Sequence, residues 1–133
     1  MCIRDSPPTL TEQVLFPEKY LAGELETGEP PTVAVPSGVD RIAAGSIGAG
    51  MLWFLLSDVH GEVAALQLVE AWKADGWVLF DFGEQRCLNA TIEMDTSGAH
   101  VLLGRALDES LRATGADVGV EINPTQIVLS ACR

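Results

Sequence analysis

Basic residues are scarce in this 133-residue chain: 8 Lys and Arg face 19 Asp and Glu, for a formal net charge of −11. Phosphate backbones are held by a basic face, so nucleic-acid binding is excluded as a main role. Attraction to an anionic membrane surface is disfavoured for the same reason. Histidine is scarce too, with His60 and His100 the only copies, which limits any metal centre built from imidazoles. The 3 cysteines, Cys2, Cys87 and Cys132, contain no C-x-x-C spacing, so they do not read as a zinc site or a redox pair. No G-x-S-x-G occurs and no Cys–His pairing is evident, which removes the common nucleophile arrangements. The longest uncharged stretch, Ile42 to Ser57, is interrupted by Gly45, Gly48 and Gly50. It falls short of the ~20 residues that a spanning helix requires.

What remains is the composition of a folded domain. Apolar residues are 47% and charged residues 20%, a balance that excludes disorder and fibres. The length suits one domain, with roughly two thirds of the unfolded surface hidden on folding. Met1-Cys2-Ile3-Arg4-Asp5-Ser6 resembles a translated sequencing-adapter sequence, so residues 1–6 are set aside as a scar. On that reading the chain is a metagenomic fragment with native residues upstream, and Arg133, close behind a strand-like run, fits a truncated end. Without Cys2, Cys87 and Cys132 read as two buried free thiols of a cytoplasmic protein, with a disulfide between them the other possibility. Residues 7–41 read as an acidic Pro-rich extension, within which Thr32-Val33-Ala34-Val35 is a short edge strand. Residues 42–133 then form a single domain.

In that domain, Gly45, Gly48 and Gly50 mark a turn rather than a phosphate loop, because they precede the apolar run Met51 to Leu56. That run reads as a strand buried on both faces. Glu62 to Ala74 reads as a helix with Ala65, Leu68, Val69 and Trp72 on its apolar stripe and Gly76 as its stop. Trp77 to Phe82 and Leu88 to Met94 are strands, the second with one wet face. Thr96-Ser97-Gly98 caps a helix over about Ala99 to Thr114, with Arg105–Glu109 and Asp108–Arg112 as i,i+4 pairs. Val118 to Ile122 and Ile127 to Leu129 are closing strands broken at Pro124. The order strand-helix-strand-strand-helix-strand is the ferredoxin-like split βαβ order. It predicts an α+β fold with helices on one face of a mostly antiparallel sheet; an α/β fold is the alternative. Trp53, Trp72 and Trp77 are expected to pack in the core.

One local signal carries chemistry. Asp58-Val59-His60-Gly61 follows the predicted strand at 51–57, and on a strand residues two apart point to the same side. The pattern resembles the first motif of the calcineurin-like metallophosphoesterases, Asp-x-His-Gly after a strand. The resemblance implies a metal site of Asp58, His60 and Glu84, with Asn123 as a further phosphate or metal contact and manganese or zinc as the cofactor. Gly83-Glu84 stands where the family has Gly-Asp, and the later His motifs are absent. The alternative is structural: Asp58 caps a turn and Gly61 permits a bend. The carboxylates Asp81, Glu84, Glu93 and Asp95 similarly read as a solvated strand face.

Two functions follow. The first is a non-catalytic acidic protein-interaction or regulatory module that needs no cofactor and binds a protein partner or a second copy of itself. Residues Trp77 to Arg133 are similar in pattern to small acidic secretion-chaperone-like domains: a hairpin, a helix, then a strand ending near Val128-Leu129-Ser130. The second is a degenerate or truncated metal-dependent phosphoesterase.

Overall fold

A carboxylate in the middle of the chain fixes the architecture. In the computed structural model, which describes residues 31–133, Asp75 is buried at 2% exposure in strand β2 (Trp72–Phe82). It accepts hydrogen bonds from Ser46 Oγ (2.9 Å), from the backbone N–H groups of Ile47 (2.5 Å) and Gly48 (2.8 Å), and from the Trp72 indole N–H (2.8 Å). Ile47 and Gly48 lead into helix α1 (Ala49–His60), which has no acidic residue of its own in its first turn. Asp75 therefore supplies from the sheet the negative charge and acceptors that a helix N-terminus requires.

Five strands form one antiparallel sheet in the order β1-β2-β3-β5-β4. They are β1 (Asp40–Gly45), β2, β3 (Gln85–Met94), β4 (Gly119–Ile122) and β5 (Ile127–Cys132). Helices α1, α2 (Glu62–Val69) and α3 (Ser97–Ala113) complete the domain. The fold is α+β with helices packed on one sheet face, and the wholly antiparallel sheet removes the α/β alternative. The main core joins Leu52 and Leu56 of α1, Val69 of α2 and Leu103 and Leu107 of α3 to Ile92 and Ile127 of the sheet. On the opposite face, Val33 packs with Val78, Phe80 and Cys87. Residues 31–39 thus cover part of that face without forming the edge strand expected at Thr32–Val35. The remainder of the expected extension, and the adapter-like residues 1–6, lie outside the described residues.

The segment Met51–Leu56 is helix, where the sequence reading expects a strand. Burial of Ala49, Leu52 and Leu56 follows a helical period, while Met51 and Phe54 face outward at 58% and 68% exposure. An apolar run cannot by itself distinguish the two states. Here the backbone N–H groups just ahead of the first turn find Asp75, and Leu, Met and Ala are good helix formers. The expected split βαβ order therefore gives way to strand, two helices, hairpin, helix, hairpin. The helix at Glu62 also stops earlier than its apolar stripe implies, at Val69. Trp72 belongs instead to β2, where a register shift between Trp72 and Ala74 turns the chain. Gly76 is not a helix stop but a buried strand residue; an added Cβ would lie 3.4 Å from Val33 Cγ2.

The second half follows expectation closely. The Thr96 side chain accepts from Ala99 N–H at 3.1 Å and caps α3. Gly104 lets α3 approach β4: a Cβ there would stand 2.5 Å from Ile122 Cγ1. Trp72 is in the core, with Trp53 and Trp77 packed against it. Cys87 and Cys132 form a disulfide between β3 and β5 rather than two free thiols. Arg86 and Arg133 exchange both backbone hydrogen bonds (3.0 and 2.9 Å), so the adjacent pair 87/132 occupies the non-hydrogen-bonded position, where facing side chains stand closest. The bridge removes the free-thiol premise behind a cytoplasmic location. No helix among the described residues is long and apolar enough to cross a membrane.

Two outcomes are expected from this framework. Asp75→Ala leaves several buried donors unmatched and should lower unfolding stability by at least about 3 kcal/mol, read as a shifted urea midpoint with unchanged slope. Cys132→Ser opens a loop spanning a sequence separation of 45 and should cost about 4 kcal/mol in the chain-entropy account. Equal midpoints for oxidised wild type and Cys132→Ser would contradict the second.

Candidate interaction surface

The residues of the Asp-x-His motif lie at the end of α1, not at a strand end. On a helix, residues two apart diverge by about 200°, so Asp58 and His60 do not share a side. Asp58 is exposed; His60 turns inward to α3. His60 Nε2 lies 3.3 Å from the Ala106 carbonyl and 3.7 Å from Glu109 Oε2. A carbonyl only accepts, so this contact places the ring proton on Nε2 and commits that nitrogen to bracing α1 against α3. Glu109 thus faces His60 rather than Arg105, whereas the expected Asp108–Arg112 pair is present at 3.1 Å. Gly61 ends α1 at φ 85° and donates its N–H to Ser57 O at 2.9 Å.

Glu84 sits apart, exposed in the turn joining β2 to β3. Asn123 sits in the β4–β5 turn. Its Oδ1 accepts from Thr125 N–H, Thr125 Oγ1 and Gln126 N–H at 2.9–3.1 Å, a side-chain-closed turn of ordinary kind. Among the described residues no group of three or more His, Cys, Asp or Glu is placed to hold a metal ion. His100 is a core residue: its Nε2 accepts from Met94 N–H at 2.9 Å, tying α3 to the end of β3. In the carboxylate cluster, Asp81 is the member with a strong partner. The Arg86 guanidinium donates to it from Nε (2.9 Å) and Nη2 (3.3 Å). That hydrogen bonding, against a smaller opposing effect of desolvation and aided by the Arg86 charge, holds the Asp81 carboxyl below its usual range.

The helical layer offers something different. Large apolar side chains stand out on all three helices: Met51, Phe54 and Val59 on α1, Val63 on α2, and Val101 and Leu102 on α3. Val63, Phe54 and Leu102 are 73%, 68% and 62% exposed. Between α2 and the first half of α3 runs a groove of about 390 Å³. Ala64, Leu68 and Ala71 form one wall, Ala99 and Leu102 the other, and His60 and Gln67 border it. Alanines on both walls keep it open. Its volume lies at the small end of the range for ligand-binding clefts. Asp95 adjoins it, its N–H donating to the Ala71 carbonyl at 2.7 Å.

Sequence reasoning named His60 but missed the groove and Asp75. Asp75-Gly76 resembles the end of a helix, and three of the four donors to Asp75 come from 27 to 29 residues earlier. The exposure of Phe54 was hidden because the strand reading buries it.

The chain matches no protein-family model, no curated protein and no solved structure.

The Asp81–Arg86 contact gives a pH-dependent outcome. A depressed carboxyl contributes stability above its ordinary pKa and loses it as pH falls through the lowered value. Arg86→Ala should therefore return the Asp81 titration, followed by the NMR shift of its side-chain carboxyl carbon, upward towards the ordinary carboxylate range. An unmoved midpoint would show that Arg86 is not the cause.

Proposed function

We propose that this domain is a non-catalytic, acidic protein-interaction module, secretion-chaperone-like in pattern, that engages a protein partner through the outer face of its helical layer. The observation that carries this reading is the exposure of Met51 and Phe54 on α1, Val63 on α2 and Leu102 on α3, with Leu102 also lining an apolar groove. Isolated exposed apolar residues need no explanation, but several on one layer mark a surface with something to cover it. Fully burying one such side chain is worth about 1.5–3 kcal/mol. Four together reach the order of the ~8 kcal/mol of a micromolar complex, before the cost of association is subtracted. The expected interaction is therefore reversible, not a permanent assembly. The net charge of −11 adds steering towards partners of opposite sign.

The test is a selection from a random peptide-display library on the wild-type protein, counter-selected on the doubly substituted Phe54→Asp/Leu102→Asp protein. Sequences that bind wild type and lose at least about tenfold in affinity on the double variant, a difference of ~1.4 kcal/mol, are the expected result. A library that yields no binder, or only binders indifferent to both substitutions, would overturn the reading. Circular dichroism of the double variant guards against loss of fold.

A further inference from the structure

We infer that the groove between α2 and α3 receives the apolar face of a cationic amphipathic helix; this rests on the interaction-module reading and names the partner's chemistry. Shape is the first argument. The groove runs between two helices, is walled by Ala64, Leu68, Ala71, Ala99 and Leu102, and its small side chains leave room for a larger one to enter. An apolar groove of this kind suits a helix that presents anchors at i, i+3 or i+4, and i+7.

Charge is the second argument, and it selects among occupants. Asp95 adjoins the groove wall at Ala71, and Glu109, 66% exposed, stands at the His60 end. Arg105, one turn beyond Leu102 on α3, and Lys73, two residues after Ala71, are the nearby charges of opposite sign. Acidic residues therefore adjoin both ends of an apolar floor, Asp95 by its backbone and Glu109 by its carboxylate, in a chain of net charge −11. They complement lysines or arginines flanking the anchors of an incoming helix, and they repel an acidic one. A second copy of this chain is disfavoured by the same count, since each carries −11. His60 sets the groove's end wall through its contact with the Ala106 carbonyl.

The experiment uses fluorescently labelled synthetic helices of about five turns, ~18 residues. One is built from Lys and Leu, its counterpart from Glu and Leu, and both are titrated with the whole chain. The Lys/Leu helix should bind in the micromolar range and the Glu/Leu helix should not. Ala99→Trp fills the groove without changing any charge and should weaken Lys/Leu binding at least about tenfold. Ala64→Trp fills the groove from an exposed position on α2 and keeps the test decisive should Ala99→Trp fail to fold. Equal binding of both helices, no binding of either, or Lys/Leu affinity unchanged by a folded groove-filling variant would each overturn the inference. The last result would mark attraction to general acidity alone. Display-selected binders of acidic or extended type, lost on Phe54→Asp/Leu102→Asp, would leave the module reading standing while the cationic helix falls.

Discussion

Four hydrogen bonds to one buried carboxylate hold the two layers of this domain in register. Asp75 lies on the helix-facing side of β2, opposite Ile92 on β3, and accepts from the chain entering α1 and from the Trp72 indole. Burial without partners would cost such a group several kcal/mol. Here every donor is itself a group that needs an acceptor: two are amides at the start of a helix, one is a buried indole and one a serine hydroxyl. The gain is mutual, and removing the carboxylate strands its donors as well. Helix α1 consequently starts at one place and leaves the sheet in one direction.

The hub also explains why β2 begins where it does. Trp72 must reach Asp75 from three residues away, so its backbone joins the sheet and shifts register before Ala74. Val69 is then the last residue of α2. A helix continuing through Trp72 and Ala74, as the periodicity of Ala65, Leu68 and Val69 invites, would take Asp75 out of the sheet and away from its donors at Ser46, Ile47 and Gly48. Local propensity favours the longer helix, and the tertiary hydrogen bond outweighs it.

Sequence legibility follows the range of the interactions. Helix α3 is readable because its signals are local: Thr96 at the cap, Leu103 and Leu107 on the stripe, Gly115 beyond the end. The β2–β3 hairpin is readable for the same reason, with Gly83 at its turn. Helix α1 is not, since its decisive partner stands in another element and an unbroken apolar run fits both states. The disulfide is also non-local: Cys87 and Cys132 become neighbours only through the β3–β5 register. For the candidate site, Asp58 and His60 were visible as residue types, but the meaning of their spacing depended on strand or helix. With helix established, His60 is a brace to Ala106 and the outward stripe of Met51 and Phe54 comes into view.

The groove is a consequence of the same chain of constraints. Helix α2 is cut to two turns because β2 must start early, and two turns of helix cannot cover a five-turn neighbour. Leu102 on the first half of α3 is left 62% exposed beside the alanines of α2. Had leucines stood in place of Ala64, Ala71 and Ala99, the walls would fill the space themselves. Alanine there forgoes burial that a domain of this size could use. A core already closed by Leu103, Leu107, Ile92 and Ile127 tolerates that loss. The open groove is thus compatible with a stable fold.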